Sequence, residues 1–231
     1  MHKITIAIDG YSSTGKSTVA RQLADYLNYI YVDTGAMYRA ITLYALRNSI
    51  IEDEKIDLDK LLAALPGIAV AFEYDNEANT SQVLLNGEVV DEPIRTLEVS
   101  EHVSPIAAIP QVRKKLVAIQ HKLGQEGGIV MDGRDIGTVV FPNAQLKIFM
   151  DADSNVRAKR RYDELLERGD KVNFDEVLEN IQERDHIDTT RKDSPLVKAK
   201  DAIVIDNTET NLEDQFHIIL QLAKDRIAGR V

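Results

Sequence analysis

Apolar residues follow two rhythms along this chain. Short β-type runs at 4–9, 29–33, 128–132, 145–150 and 202–206 alternate with longer stretches whose apolar positions recur three and four residues apart. Val19, Ala20, Leu23, Ala24 and Leu27 form one such helical face, and similar patterns lie at 36–47, 111–125, 173–185 and 212–227. Five apolar runs joined through helical sequence predict an α/β fold: a five-stranded parallel sheet between two layers of helices, a three-layer α/β/α arrangement.

The stretch from about 50 to 104 breaks the alternation. A charged segment and a short helix at 58–65 precede β-type runs at 68–72, 82–85 and 88–90, with Asn86-Gly87 as a hairpin signal. Helical patterns follow at 94–107 and 111–125, separated by Pro110. The block reads as an insertion into one domain, with a core at about 1–49, 105–152 and 171–231 and a short separate segment at 153–170. No internal repeat or low-complexity stretch interrupts it.

Composition narrows the class. The 231 residues, 44% of them hydrophobic, suffice for a sizeable core. A formal charge of −10 disfavours a generic grip on nucleic acid, so any basic site is local. The absence of cysteine excludes disulfides, thiolate metal sites and cysteine nucleophiles together. The longest apolar runs fall far short of a membrane span, and the N-terminus enters a strand rather than a signal-peptide core, so a cytoplasmic protein without membrane partners is expected. His2, His102, His121, His186 and His217 show no metal-binding spacing and read as ordinary residues.

Candidate chemistry begins where the first run ends. Gly10-Tyr11-Ser12-Ser13-Thr14-Gly15-Lys16-Ser17-Thr18 has the form of a phosphate-binding P-loop between a strand and a helix. Glycines let backbone N–H groups curl around phosphate oxygens, and the helix aims its positive end at the same anion. Lys16 would reach the β- and γ-phosphates, and Ser17 would offer a hydroxyl to Mg²⁺. A plain Gly/Ser turn is the alternative, weakened by the strand before and the amphipathic helix after.

Other polar groups stand at the C-terminal ends of the later runs, the edge where open parallel sheets bind ligands. Asp33 and Thr34 are followed by Tyr38 and Arg39; the bland alternative is a helix N-cap at Asp33 or Thr34 with Tyr38 packing. Asp132 ends another apolar run, and either it or Asp33 would order the waters of Mg²⁺. Arg134 and Asp135 come next, a ligand-binding pair or a local ion pair. Arg157, Arg160 and Arg161 share a helical face before Gly169, the positive charge that phosphoryl transfer requires or a solvated stripe. Residues 183–191, including Arg184, Asp188 and Arg191, are dense in charge.

Taken together, these segments resemble the bacterial cytidylate kinases, P-loop nucleoside monophosphate kinases, over nearly the whole chain. The resemblance rests on Ile8-Asp9-Gly10 into the P-loop, Asp33-Thr34-Gly35-Ala36-Met37-Tyr38-Arg39, Ile94-Arg95-Thr96 with Glu98-Val99, Pro110 with Val112-Arg113, the specific run Asp132-Gly133-Arg134-Asp135-Ile136-Gly137-Thr138-Val139-Val140-Phe141-Pro142, and Glu183-Arg184-Asp185. It implies an ATP-dependent phosphorylation of CMP and dCMP with Mg²⁺, a P-loop NTPase fold, the 50–104 insertion as monophosphate-binding region and 153–170 as lid. It further implies Arg39, Arg134 and Arg184 on the CMP phosphate, Ser104, Arg113 and Asp135 on the cytosine, and Asp188 and Arg191 towards the ribose. Thr34 and Tyr38 join that substrate set, and Lys16, Arg134, Arg184, Arg157 and Arg161 the catalytic set. Family loops often carry Pro after the first glycine, where this chain has Tyr11.

Chemistry agrees with those roles. A phosphate monoester suits bidentate arginines, and cytosine presents an amino donor to a carboxylate where uracil presents a carbonyl. Such a mispairing costs about 1–3 kcal/mol. Two rivals are a kinase for another monophosphate or small metabolite and a GTPase-type switch. The switch needs an Asn-Lys-x-Asp guanine reader, and Asp206-Asn207-Thr208-Glu209 stands there instead. A monomer acting on small nucleotides is expected.

Overall fold

The computed structural model describes residues 3–75 and 80–230; His2 and the side chains at 74, 75 and 80 lie outside that description. The chain divides into two compact units, one of Met1–Val32 with Gln120–Val231 and one of Asp33–Ile119.

The first unit is built on β1 (Thr5–Gly10), β2 (Ile30–Asp33), β8 (Ile129–Gly133), β9 (Leu146–Asp151) and β10 (Ile203–Asp206), in the order β10-β9-β1-β8-β2. It is the five-stranded parallel sheet that the alternating pattern predicts. The central strand β1 is buried along almost its whole length, as the continuous apolar run Ile6-Ala7-Ile8 requires. Ile4, Ile6 and Ile8 pack with Ile148 and Met150 against Val19, Leu23 and Ala24 of α1 (Lys16–Leu27) and Ile219 and Ala223 of α8 (Leu212–Ile227). Ile30 and Val204, on the edge strands, remain exposed. Val177 and Ile181 of α7 (Phe174–Thr190) close a second small core with Ala158 and Leu165 of α6 (Ser154–Glu167).

The second unit holds α2 (Thr34–Arg47), the two-residue strands β3 (Ile51–Glu52) and β4 (Lys55–Ile56), α3 (Leu58–Ala64), a meander of β5 (Val70–Asp75), β6 (Thr80–Leu85) and β7 (Glu88–Val89), α4 (Leu97–Ala107) and most of α5 (Pro110–Leu123). Asn86 (φ 51°) and Gly87 (φ 86°) form the expected turn, both left-handed as a two-residue hairpin of the primed type demands.

Four features differ from the sequence expectation. The charged segment at 50–57 contains the β3–β4 hairpin, whose turn holds Asp53 (φ 48°) and Glu54 (φ 61°) left-handed, a conformation that Glu rarely signals. The helix expected over 94–107 is a short 3₁₀ turn at Pro93–Arg95 and then α4, because the Thr96 hydroxyl accepts from Val99 N and restarts the helix. Helix α7 continues to Thr190 instead of ending near 185, which places Arg184 and Asp188 one turn apart on one face. Ile136–Val140 forms a π-helical turn tied to β1: both carboxylate oxygens of Asp9 accept from it, from Ile136 N and Gly137 N at 2.7 Å each.

Gly10 sits at φ 145°, and a Cβ there would lie 2.0 Å from the Met150 carbonyl oxygen, whereas Gly169 at φ 86° has open space around it. Gly10→Ala should therefore cost about 3 kcal/mol or more, and Gly169→Ala about 1 kcal/mol from backbone strain alone. In a thermal melt these correspond to falls of roughly 6–12 °C and roughly 2–4 °C; equal falls would contradict the packing of the loop against β9.

Candidate active site

The P-loop between β1 and α1 has its carbonyls tied down from within the loop and from outside it. Tyr11 O accepts from the Thr14 hydroxyl at 3.0 Å and from the Lys16 ammonium, Ser12 O from Arg157 Nη1 at 3.4 Å, and Thr14 O from Asn207 Nδ2. A trans peptide points its C=O and N–H in opposite directions, so each tie turns the next N–H (Ser12, Ser13, Gly15) to the other side. Ser13 (φ 57°) and Gly15 (φ 84°) are left-handed, the alternation that makes an anion-binding nest. Helix α1 then begins without a side-chain cap, while α2, α3, α4, α6, α7 and α8 each have one. A helix start of this kind, with its positive dipole end towards the loop, suits an anion. Lys16 is buried, with Nζ also 3.2 Å from the Thr14 hydroxyl.

At the start of that helix, Ser17 Oγ donates to Asp132 Oδ2 at 2.9 Å, and Tyr31 OH donates to Asp132 Oδ1 at 2.9 Å. Asp33 is engaged elsewhere, since its carboxylate accepts from Ala36 N at 2.9 Å and caps α2, as the bland alternative held. Beside the loop, Asp9 is buried, and loss of hydration pushes its carboxyl up to about 6 despite the two N–H donors; the Asp135 charge adds to the rise and Lys16 opposes it.

A second cluster forms around Asp188, which is 4% exposed. Arg134 Nε donates to its Oδ2 at 2.8 Å and Arg191 Nη1 to its Oδ1 at 3.5 Å. Burial would raise this carboxyl, yet Arg134, Arg191 and Arg184 hold it below the ordinary value. Burial likewise acts to lower the Arg134 guanidinium, and Asp188 outweighs it, so that its pKa is raised. Arg134 therefore grips Asp188 rather than its neighbour Asp135. Three guanidiniums thus act on the one Asp188 carboxylate, and Asp185 and Asp132 act in turn on Arg134.

The arginines of α6 separate by role. Arg157 is buried, donates to Asp185 Oδ2 at 2.7 Å and Ala152 O at 2.9 Å, and lies over the Tyr11 ring at 5.1 Å. Arg161 pairs with Glu164 at 2.9 Å, and Arg160 reaches Asn207. In the second unit, Arg113 Nη1 donates to Ala107 O at 3.3 Å and its guanidinium lies 5.6 Å from the Tyr38 ring centre. Thr34 and Ser104 are buried on α2 and α4, and Arg39 lies on α2.

Four residues in these arrangements lay outside the candidates. Tyr31, Asp185 and Asn207 signal nothing locally because their partners are remote in sequence. Asp9, a carboxylate inside an apolar run, was the one visible clue.

Comparison with known proteins decides the family. The cytidylate kinase family model matches residues 6–225. The chain belongs to the cytidylate kinase family. Relatives named cytidylate kinase are 56% identical in Flavobacterium psychrophilum (97% of this chain, 100% of the relative), 55% in Flavobacterium johnsoniae (97% and 98%) and 53% in Bacteroides fragilis strain YCH46 (93% and 94%). The activity is that of a cytidylate kinase, a phosphotransferase that phosphorylates CMP with ATP as phosphoryl donor. Neither the GTPase-type switch nor a kinase for another metabolite is favoured.

Two buried aspartates of this kinase with perturbed carboxyls, Asp188 and Asp9, act on stability with opposite sign. Asp188, depressed, stabilises the fold above the ordinary carboxylate range and loses that contribution as pH falls through its folded pKa. Asp9, raised from 3.8 to about 6, keeps its proton in the fold after the unfolded chain has lost it, so stability falls as pH rises through that window. Relative to Asp9→Asn, the wild type should lose about 1 kcal/mol between about pH 5 and 7 and little more above it. Urea titrations across that range check this; a constant gap would mean that Asp9 titrates normally.

Proposed function

We propose that this cytidylate kinase transfers the γ-phosphoryl group of ATP, with Mg²⁺, in line to an oxygen of CMP or dCMP, as a monomer in the cytoplasm acting on neither nucleic acid nor membrane. The single observation that supports the site assignment is the gathering of Arg134, Arg184 and Arg191 about the buried Asp188, guanidiniums of the kind that grips a phosphate monoester.

The donor site is proposed on the loop 10–18: N–H groups of the loop hold the β- and γ-phosphates and Lys16 reaches between them. Ser17 and Asp132 suit Mg²⁺, because a hydroxyl and a carboxylate 2.9 Å apart supply few oxygens and leave the rest to water and phosphate. Asp33, committed to its cap, is the less suitable partner. When bound, the cation would neutralise charge on the β- and γ-phosphates.

The acceptor phosphate is already ionised at neutral pH, so no general base is assigned. Positioning and charge carry the reaction, with Arg134 and Arg184 on the acceptor phosphate and Arg157 and Arg161, from the lid at 153–170, near the transferred group. Thr34, Tyr38 and Arg39 complete the substrate set from α2. Asp135, Ser104 and Arg113 are proposed to read cytosine, and Asp188 and Arg191 the ribose side. The 50–104 insertion is proposed as the monophosphate-binding region.

Arg134→Ala should lower kcat/KM for CMP by about a hundredfold or more through both KM and kcat, since one guanidinium would hold the acceptor phosphate before and during transfer. A coupled assay of ADP formation with CMP, dCMP, UMP and AMP should also rank the cytosine nucleotides first. If Arg134→Ala lowered only the melting temperature, the Arg134–Asp188 pair would be structural and the acceptor assignment wrong.

A further inference from the structure

Asn207 stands just after β10 with no exposed surface and every polar group in use. Its Nδ2 donates to the Thr14 carbonyl in the P-loop and to Gln215 Oε1 at 2.8 Å. Its Oδ1 and backbone carbonyl accept from Arg160 Nη1 and Nη2 at 3.1 and 2.8 Å, and its N–H donates to Asp151 O at 2.9 Å. The amide has one workable orientation: reversed, it would set oxygen against the Thr14 and Gln215 oxygens and nitrogen against a guanidinium. Gln215, also buried, is itself fixed by donating from Nε2 to Thr210 O at 2.9 Å.

An asparagine that served only to close the β10–α8 turn would have no need of a carbonyl 193 residues earlier in the chain. That carbonyl belongs to the Thr14–Gly15 peptide, whose N–H is one of those turned into the loop. Holding the oxygen outward holds the hydrogen inward, because the peptide rotates as a plate. Releasing it lets the plate turn at Gly15, the residue with the least resistance to rotation.

We propose that Asn207 is a positioning residue for the donor nucleotide: it orients the Gly15 N–H towards the phosphates and ties that peptide to Arg160 of α6. The proposal rests on the assignment of the donor to the P-loop.

The test is steady-state kinetics with ATP and CMP varied separately, on Asn207→Ala, Asn207→Asp and Gln215→Leu. Asn207→Ala should raise KM for ATP at least tenfold and leave KM for CMP within twofold, a split that general loss of packing would not produce. Asn207→Asp, which turns an acceptor towards Thr14 O, should raise it further. Gln215→Leu touches no loop atom but frees one side of the Asn207 amide, and should raise KM for ATP about threefold with KM for CMP unchanged. Should the Asn207 variants not fold, Gln215→Leu decides alone: an unchanged KM for ATP, or equal rises for both substrates, overturns the proposal. A wild type that formed no ADP from ATP and CMP would instead overturn the donor assignment itself.

Discussion

The site in the larger unit depends on the backbone of one loop being held with its oxygens outward. Amide groups are weak, neutral donors, and they bind a polyphosphate only when several converge without rotating to do so. Here convergence comes from the Thr14 hydroxyl and Lys16 on Tyr11 O, within the loop and its helix, and from two groups remote in sequence, Arg157 on Ser12 O and Asn207 on Thr14 O. Gly10 allows the loop to leave β1 against the Met150 carbonyl, and Gly15 allows it to enter α1 left-handed. The sheet, the helices α6 and α8 and the residue after β10 thus all act on the same few peptides.

Charge is gathered into ion-paired clusters about Asp188 and Asp185. A chain of net charge −10 concentrates Arg134, Arg184 and Arg191 about one buried carboxylate, and Arg157 about another at Asp185. Buried ion pairs contribute little net stability against apolar packing, because desolvation offsets much of the attraction. What Asp188 does supply is direction, since it holds Arg134 Nε at 2.8 Å and Arg191 Nη1 at 3.5 Å. Asp9 anchors the turn after Asp135 by accepting from two backbone donors, while burial lifts its carboxyl to about 6 in spite of them.

Most of the fold was legible because its signals are local. Apolar runs such as Ile6-Ala7-Ile8 mark strands, the face of Val19, Leu23 and Ala24 marks α1, and Asn86-Gly87 marks its hairpin. Misses came where distant or atypical interactions override local ones: Asp53 and Glu54 turn left-handed against their preference, and the π-helical turn at Ile136–Val140 hangs on a carboxylate 127 residues away. The P-loop was legible as a motif, and the arginines as charge. Which carboxylate Arg134 holds was not, since Asp188 is 54 residues further on and the sequence offered only a local ion pair with Asp135 as the alternative to ligand binding. Asn207 stands where a guanine reader would need its motif, and its buried side chain instead bonds Thr14 O, Gln215 and Arg160.

The P-loop of this kinase should present preset amide donors to the donor phosphates, and amide NMR of the ¹⁵N-labelled protein during an ATP titration tests that most directly. The Ser12, Ser13 and Gly15 amide protons are expected to move downfield together and saturate at one ATP concentration, the signature of N–H groups engaging phosphate oxygens. ATP binding that left those three resonances in place would contradict it.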